Sequence, residues 1–429
     1  MEHYLIFFNL AVALLFGLLM SRVTKKFGLP AVTGYLIAGI IIGPYCLGRL
    51  GIPGLGFTTY DNVTAYGIIS ETALGFIAFT IGNEFRVTDL KKTGKQAVVV
   101  SLFEAILAMV FVDAALIGLH FVLGEEKFPL TAAITLGAIA AATAPAATLM
   151  VVRQYKAKGP VTSILLPVVA LDDAIGLIAF ALSFGIAKSL LGNVSVITVV
   201  AEPLLEIVLS LAMGAVLGLL FSFTERFFHS RSKRLSVSAA FVLFAVAVSL
   251  LKFKVGGVNI SFSSLLTCMM MGTVFCNVCD FSEELMDRLD RWTAPLFILF
   301  FVLSGAELQL DVFRDVSVLG IGIIYMVSRC LGKYAGAYMG ASVMKCEPQV
   351  KKALGITLFP QAGVALGMSL SALTLFPAGE GRMIRNIVLF GVLIFELFGP
   401  TTTKLALSAA GEIKPEGKTN ARVAEKTAK

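Results

Sequence analysis

Long runs of apolar residues, separated by short charged loops, follow one another along the chain. A helix needs about 20 predominantly apolar residues to cross the roughly 30 Å hydrocarbon core of a bilayer. Measured against that length, the pattern predicts about thirteen membrane-spanning helices, over approximately residues 4–22, 29–43, 63–84, 96–122, 129–152, 160–187, 196–223, 236–252, 258–278, 293–308, 315–341, 351–375 and 386–409. We therefore expect an all-α, polytopic membrane protein.

The composition agrees with this pattern, because 57% of the residues are hydrophobic, only 15% are charged, and the mean hydropathy is +0.88. In a soluble protein the net charge of +7 could indicate nucleic-acid binding. Here, 25 of the 35 Lys and Arg residues lie in alternate loops and in the tail, which the positive-inside rule assigns to the cytoplasm. The charge therefore predicts topology, with the N-terminus outside and the C-terminus cytoplasmic, and no nucleic-acid partner.

The odd number of spans predicts an internal symmetry. Residues 1–190 and 236–409 each hold six predicted helices, and one linker helix at 196–223 joins these two halves; a tail follows at 410–429. A single linker makes the second half run opposite to the first, which is the inverted-repeat arrangement of many secondary transporters. Such folds break equivalent helices near the middle of the membrane, so the fifth helix of each half should be interrupted.

Both fifth helices contain a proline among small or polar residues. The mid-span residues are Thr143, Ala144 and Pro145 in the first and Pro360, Gln361 and Gly363 in the second. A proline frees backbone carbonyls, which neighbours, water or an ion must then satisfy. Prolines also simply kink transmembrane helices, but their matching positions favour functional breaks that cross each other.

Two adjacent aspartates, Asp172 and Asp173, lie within the apolar span 160–187. A carboxylate at the centre of such a helix costs about 2.5–3.5 kcal/mol on insertion scales, so the pair indicates ion or proton handling. Consecutive residues point about 100° apart around a helix, so the two cannot face the same partner. A low dielectric favours the protonated carboxyl, whereas a nearby cation favours the ionised form. One aspartate can therefore hold a structural pair while the other takes up and releases protons.

The candidate partner cations are Arg329 and Lys333, one turn apart on one face of the span 315–341. Arg329 is too far from either end to reach the interface, so we expect it to have a buried partner. Lys333 could instead extend its side chain to the interface, although a buried partner is favoured for it too.

Further carboxylates lie in or near the ends of the predicted spans. They are Glu71, Glu104, Asp113, Glu206, Glu307 and Glu396. Each alone is as consistent with lining a wet crevice, or with a hydrogen bond between helices, as with binding a substrate.

Several motifs appear in order along the chain: LPAVTGYLIAGIIIGP at 29–44, TAPA at 143–146, the aspartate pair at 172–173, PLFILFFVLSGAEL at 295–308, Arg329, and FPQAGVALG at 359–367. In this order they resemble the monovalent cation/proton antiporter superfamily, in its Kef, NapA and NhaA-like branch. The resemblance covers essentially the whole chain.

The resemblance implies a secondary active transporter, and not an enzyme, that exchanges a monovalent cation for protons by alternating access. Asp173 would bind the transported metal cation or the proton, Asp172 would pair with Arg329, and Thr143 would lie near the site. The aspartate pair favours sodium, because relatives of the Kef branch carry glutamine at its first position. A homodimer in the plasma membrane, in contact with lipid and without a cofactor, is also implied.

Two positions of the sequence differ from the pattern of many relatives. Many relatives have Pro-Arg-Gly-Glu in the second broken helix, whereas this chain has PQAG at 360–363, so no charge is carried there. Electrogenic relatives commonly have lysine where Arg329 is placed, and electroneutral ones can have arginine. We therefore expect electroneutral, one-for-one exchange, while Lys333 leaves the register of this helix open.

Three other functions also use carboxylates in a membrane. A K⁺/H⁺ antiporter of the same fold stays open, and the responses to sodium, lithium and potassium would distinguish it. A cation channel would need neither mirrored helix breaks nor coupling to protons. An intramembrane aspartyl protease would need its two carboxylates on different helices, in Tyr-Asp and Gly-x-Gly-Asp settings, and neither setting occurs within the predicted spans.

Overall fold

The structure is a computed structural model that describes residues 3–52, 54–83, 85–190, 196–251, 253–255, 258–279, 282–308, 310 and 316–413. Most of the predicted tail, residues 414–429, lies outside this part of the chain. Within it, the polypeptide is almost entirely helical, as the apolar pattern predicts.

The described helices are α1 (His3–Lys26), α2 (Ala31–Ile42), α3 (Tyr60–Thr64), α4 (Gly67–Asn83), α5 (Val87–Leu123), α6 (Leu130–Ala140), α7 (Pro145–Tyr155), α8 (Pro160–Leu190), α9 (Val196–Glu225), α10 (Arg231–Ser249), α11 (Ser264–Val278), α12 (Ser282–Glu307), α13 (Val316–Val343), α14 (Pro348–Thr357), α15 (Gly363–Leu375) and α16 (Ala378–Ala409). A short 3₁₀ helix covers Leu47–Leu50. Two strands, β1 (Phe253–Val255) and β2 (Val258–Ile260), pair antiparallel.

Each predicted span overlaps one of these helices, or one interrupted pair of them. Eight helical segments of the described chain are long and apolar enough to cross a membrane, and three shorter apolar helices accompany them. The multi-pass, helical architecture is therefore confirmed. The number thirteen and the inverted repeats stay predictions.

Two local features differ from the pattern. The hairpin formed by β1 and β2 was not expected, although a pair of glycines at 256–257 between two short runs containing β-branched residues is a hairpin signal. Helix α12 begins at Ser282, so the charged segment before residue 293 continues into the apolar helix without interruption. A polar stretch can belong to a transmembrane helix when it extends beyond the bilayer.

Helices α5 and α13 pack unusually closely because α13 presents Gly332, Gly336 and Gly340 to α5 at four-residue spacing. A Cβ atom on Gly336 would lie 2.4 Å from the Cα of Glu104, and one on Gly332 would lie 2.6 Å from the Cα of Ala108. Small residues at this spacing allow helix backbones in a membrane to approach each other. The approach places Glu104 of α5 beside the charged face of α13.

Two apolar clusters enclose this charged face. One contains Leu136 of α6 and Tyr325 of α13, and the other contains Ala337 of α13 together with residues of α7, α8 and α14. Arg329 and Lys333 lie along α13 between the two clusters, and both are fully buried. Apolar packing on either side therefore keeps these cations away from solvent.

Candidate ion-binding site

The two interrupted helices meet at their breaks. Helix α6 ends at Ala140 and α7 begins at Pro145, whereas α14 ends at Thr357 and α15 begins at Gly363. The Ala144 N–H donates to the Pro360 carbonyl at 2.9 Å. The unwound backbone of one helix thus supplies a hydrogen-bond partner to the unwound backbone of the other.

Arg329 binds the carbonyls that these breaks leave free. Its Nε donates to Ala140 at 3.0 Å, its Nη2 donates to Ala142 at 2.7 Å, and its Nη1 donates to Phe359 at 2.7 Å. The guanidinium also lies 4.7 Å from the centroid of the Phe395 ring. The prediction that Arg329 pairs with Asp172 is wrong, because all three nitrogens of its planar fork serve backbone carbonyls from both breaks.

Lys333, one turn further along α13, is the partner of Asp172. Its Nζ lies 3.0 Å from Asp172 Oδ2 and 2.6 Å from Glu104 Oε2. It also donates to Thr143 Oγ1 at 2.9 Å and to the Ala141 carbonyl. All three charged side chains are fully buried, so the lysine does not extend to the membrane interface.

The Glu104, Lys333 and Asp172 side chains form a buried ion triad of two carboxyl groups and one amine. With both carboxylates ionised, the triad would carry a net charge of −1, which a bound cation or a proton would neutralise. Removing one partner from a buried ion pair leaves an uncompensated charge that costs about 3–5 kcal/mol. The triad is therefore both a structural requirement of the fold and a place where positive charge is favoured.

Thr143 connects the triad to the second break, and Gln361 connects the second break to the end of α6. Thr143 accepts the lysine's hydrogen bond and donates to the Leu358 carbonyl at 3.4 Å. Gln361 donates to the Ile139 carbonyl at 3.0 Å and to the Tyr325 hydroxyl at 2.9 Å. Uncharged hydrogen bonds thus hold the second break at position 361.

Asp173 belongs to α8 directly after Asp172, but its side chain lies outside the described part of the structure. One turn further along α8, a Cβ on Gly176 would lie 3.4 Å from the Cα of Ala142. The first break therefore packs against α8 close to the aspartate pair. Pro145 is the first residue of α7, Gly363 is the first residue of α15, and Ala144 is the residue before α7.

The sequence profile described as "Sodium/hydrogen exchanger, transmembrane" matches residues 10–409. The chain belongs to the sodium/hydrogen exchanger family. Membership confirms the resemblance to the cation/proton antiporter superfamily. It makes the protein a transporter rather than an enzyme, and agrees with a multi-pass membrane protein.

Individual members of the family and its relatives resemble the chain at low identity. The Na⁺/H⁺ antiporter NhaS4 from Synechocystis sp. is 25% identical over 358 residues, which are 81% of this chain and 83% of that protein. The K⁺ efflux antiporter 5 from Arabidopsis thaliana is 32% identical over 105 residues, 24% of this chain and 16% of that protein. The solved structure of the sodium proton antiporter MjNhaP1 from Methanocaldococcus jannaschii has a TM-score of 0.75 and 18% identity, covering 97% of this chain and 100% of that one. This last likeness shows the fold.

In this exchanger, sequence reasoning did not single out Glu104 from the other membrane carboxylates. The signal that could have found it is the glycine spacing of 332, 336 and 340, which predicts close packing of that face of α13. Lys333 directly follows the first of these glycines, so its side chain must contact a residue of the opposing helix α5. That opposing residue is a glutamate.

The exchanger also anchors the start of α8, the helix of the aspartates, to the end of the described chain. The Glu412 carboxylate accepts hydrogen bonds from the Val161 N–H at 2.5 Å, from the Thr162 N–H at 2.8 Å and from the Thr162 hydroxyl at 2.5 Å. The first N–H groups of a helix have no intrahelical acceptor, and their dipole favours a negative charge. Glu412 is only 4% exposed, so the segment following α16 holds α8 by a buried contact.

A cavity of about 570 Å³ reaches the first break. It is lined by Thr143, Ala144 and Pro145 at one side, and by further residues of α2, α3, α4, α7, α11, α12, α15 and α16. Because Thr143 also contacts Lys333, the cavity extends to within one side chain of the ion triad. An ion in the cavity would therefore need only a short further path to the triad.

Proposed function

We propose that the chain exchanges Na⁺ for H⁺ across the plasma membrane by alternating access. One observation carries this proposal within the exchanger family: a fully buried lysine lies between two carboxylates where two broken helices cross. Such a site favours one added positive charge. A sodium ion and a proton can each supply that charge, and each excludes the other.

Asp173 is the proposed carrier of the exchanged ion, while Asp172 is held by Lys333. This division of roles rests on the resemblance and on the 100° between consecutive helix positions. Thr143 lies beside the lysine, where its hydroxyl oxygen is available as an additional ligand for a cation. Binding of sodium would displace the proton from Asp173, and protonation would displace sodium.

The transport movement is proposed to follow an inverted repeat, with halves at 1–190 and 236–409 joined by the helix at 196–223. Helices α6, α7 and α8 would shift together with α14, α15 and α16 against the remaining helices, which would also form a homodimer interface. The hydrogen bond from Ala144 to Pro360 supports joint movement, because it joins the two broken helices directly. The N-terminus is placed outside and the C-terminus in the cytoplasm.

The proposed stoichiometry is one sodium ion for one proton. The sequence suggested this because of an arginine opposite Asp172, but Lys333 occupies that place, and lysine there is what electrogenic relatives commonly have. A different argument supports one-for-one exchange: when a cation competes for the aspartates, Glu104 still lies 2.6 Å from Lys333 and can hold its charge. The lysine then has no need to release a proton. Transport that responds to an imposed membrane potential in proteoliposomes would contradict this stoichiometry.

The central experiment is sodium-dependent proton release from everted membrane vesicles that contain the protein. Replacing Asp173→Asn should abolish the release, because the amide cannot alternate between a proton and a cation. Asp61→Asn, at an exposed aspartate between α2 and α4, is the matched control and should keep the release. Unchanged exchange in the Asp173 variant would remove that residue as the carrier.

Potassium/proton exchange is the second candidate. It is favoured by the 32% identity of a 105-residue stretch to a protein named as a K⁺ efflux antiporter. The aspartate pair and the likeness to NhaS4 over 81% of the chain favour sodium instead. Adding NaCl, LiCl or KCl to the same vesicles separates the two, since a sodium exchanger should respond to the first two salts far more than to the third.

A further inference from the structure

The 570 Å³ cavity contains two carboxylates that the ion triad does not use. Glu307 is the last residue of α12, and Glu396 lies within α16, so the two belong to different helices. Both line the same cavity. Their negative charges therefore act on one common space.

Glu396 is only 9% exposed, yet its Oε2 has no hydrogen-bond partner among the described residues. A buried carboxylate oxygen without a partner is costly, because it has lost its water and gained nothing in return. The Glu307 carboxylate adds a like charge instead of a compensating one. An occupant that supplies positive charge would relieve both costs.

Arg385 is the one arginine among the described lining residues, and it is too distant to supply this positive charge. Arg385 precedes Glu396 by eleven residues on α16 and lines the same cavity. At 1.5 Å per residue, the two backbone positions are about 16 Å apart along the helix axis. Arg385 therefore marks a more distant part of the cavity wall and leaves the carboxylates uncompensated.

Neighbouring hydroxyl groups add further oxygen ligands to the cavity wall. Ser304 lies one turn before Glu307 on α12, and Ser369 of α15 also lines the cavity. Carboxylate and hydroxyl oxygens are the donors that hard, weakly polarisable cations prefer. On the inner side, a Cβ on Gly399 would lie 2.8 Å from Pro360, so the turn after Glu396 packs against the second break.

We propose that Glu307 and Glu396 form a second cation subsite, which holds a sodium ion in the cavity before it reaches the triad. This inference rests on the proposed exchange function and adds a waiting position to the ion path. Loss of the subsite should weaken capture of sodium from solution without removing the carrier. The apparent KM for sodium should therefore rise, while the maximal rate changes little.

The first experiment measures exchange in proteoliposomes over a range of NaCl concentrations. Glu396→Gln and Glu307→Gln, on two different helices, should each raise the sodium KM at least threefold and keep the maximal rate within twofold of the parent. Glu126→Gln, at an exposed carboxylate between α5 and α6 that does not line the cavity, should leave both constants unchanged. An unchanged KM in both cavity variants would overturn the subsite.

The second experiment needs no transport and so separates the two proposals. Purified full-length Asp173→Asn should still show a NaCl-dependent rise of its melting temperature, relative to choline chloride, because the cavity subsite remains. Adding Glu396→Gln and Glu307→Gln to that variant should reduce the rise at least by half, and any remainder reports the triad. If the rise is as large in the triple variant as in Asp173→Asn, the subsite is wrong; exchange by Asp173→Asn in vesicles would instead contradict the proposed function.

Discussion

Lys333 Nζ lies 3.0 Å from Asp172 Oδ2, and neither side chain is exposed to solvent. The contact joins α13 to α8 beside the first helix break. Glu104 of α5 approaches the same ammonium from a third helix, at 2.6 Å. Lys333 thus links α5, α8 and α13 of the transporter.

Replacing Lys333→Met should strongly destabilise the protein, because it leaves Asp172 and Glu104 buried without a cation. The expected loss in the free energy of unfolding is about 3–5 kcal/mol, measured by thermal or denaturant unfolding in detergent. Lys352→Ala, at an exposed lysine of α14, should change stability by less than about 0.5 kcal/mol. Equal stabilities of the two variants would contradict the ion triad.

A double-mutant cycle tests whether Glu104 belongs to the triad. Glu104→Gln and Lys333→Met should be non-additive, with a coupling free energy above about 1 kcal/mol, because the two side chains contact each other. The lysine variant should be less harmful when Glu104 is already neutral. Additive effects of the two substitutions would mean that the 2.6 Å contact contributes nothing.

Arg329→Lys should not behave as a conservative change. An ammonium cannot reproduce the planar fork that donates from three nitrogens to the carbonyls of Ala140, Ala142 and Phe359. With two of these hydrogen bonds lost, we expect a destabilisation on the order of 3 kcal/mol, together with reduced exchange. A melting temperature equal to that of the parent would show that the carbonyls find other donors.

Gly336→Ala and Gly320→Ala form a matched pair on one helix. A Cβ at position 336 would lie 2.4 Å from the Glu104 backbone, which can move only if α5 moves, so a loss of about 1–3 kcal/mol is expected. At position 320 nothing lies within 4 Å, and alanine should stabilise the helix by up to about 1 kcal/mol. The two shifts in melting temperature should therefore have opposite signs, and a shared sign would argue against close packing of α5 and α13.

Glu412→Ala should weaken the start of α8. Loss of its hydrogen bonds to the Val161 and Thr162 N–H groups removes a cap, which typically costs about 1 kcal/mol. Glu347→Ala is the control, because Glu347 precedes α14 without making a side-chain cap bond. Faster hydrogen exchange at the first turn of α8, seen only in the Glu412 variant, would locate the effect.

Local chemistry allowed some features of the site to be predicted from the sequence. Pro145 and Pro360 each stand among small or polar residues at corresponding positions of the two predicted halves, and this setting predicts the breaks. Proline alone does not, because Pro167, Pro295 and Pro400 lie inside continuous helices. The partner of Asp172 could not be predicted in the same way. Arg329 and Lys333 lie on one face, a single turn apart, and only the packing of three helices decides which of them meets an aspartate.

The role of Arg329 could have been inferred by a further step. Two broken helices free several carbonyls, and a guanidinium with its planar set of N–H donors suits several acceptors better than one carboxylate does. The role of Glu104 depends on contact between α5 and α13, and Glu104 precedes Lys333 by 229 residues in sequence. Apolar periodicity gives the existence of both helices but carries no information on which of their faces touch.

The hydrogen bond from Ala144 to Pro360 joins one main-chain N–H to one main-chain carbonyl. No side-chain replacement removes the N–H or the carbonyl, except proline at position 144, which lacks the N–H. Alanine scanning would therefore not detect this contact. The surrounding side chains can therefore be replaced while the bond persists. Its removal calls for backbone chemistry, such as an ester in place of the amide at residue 144.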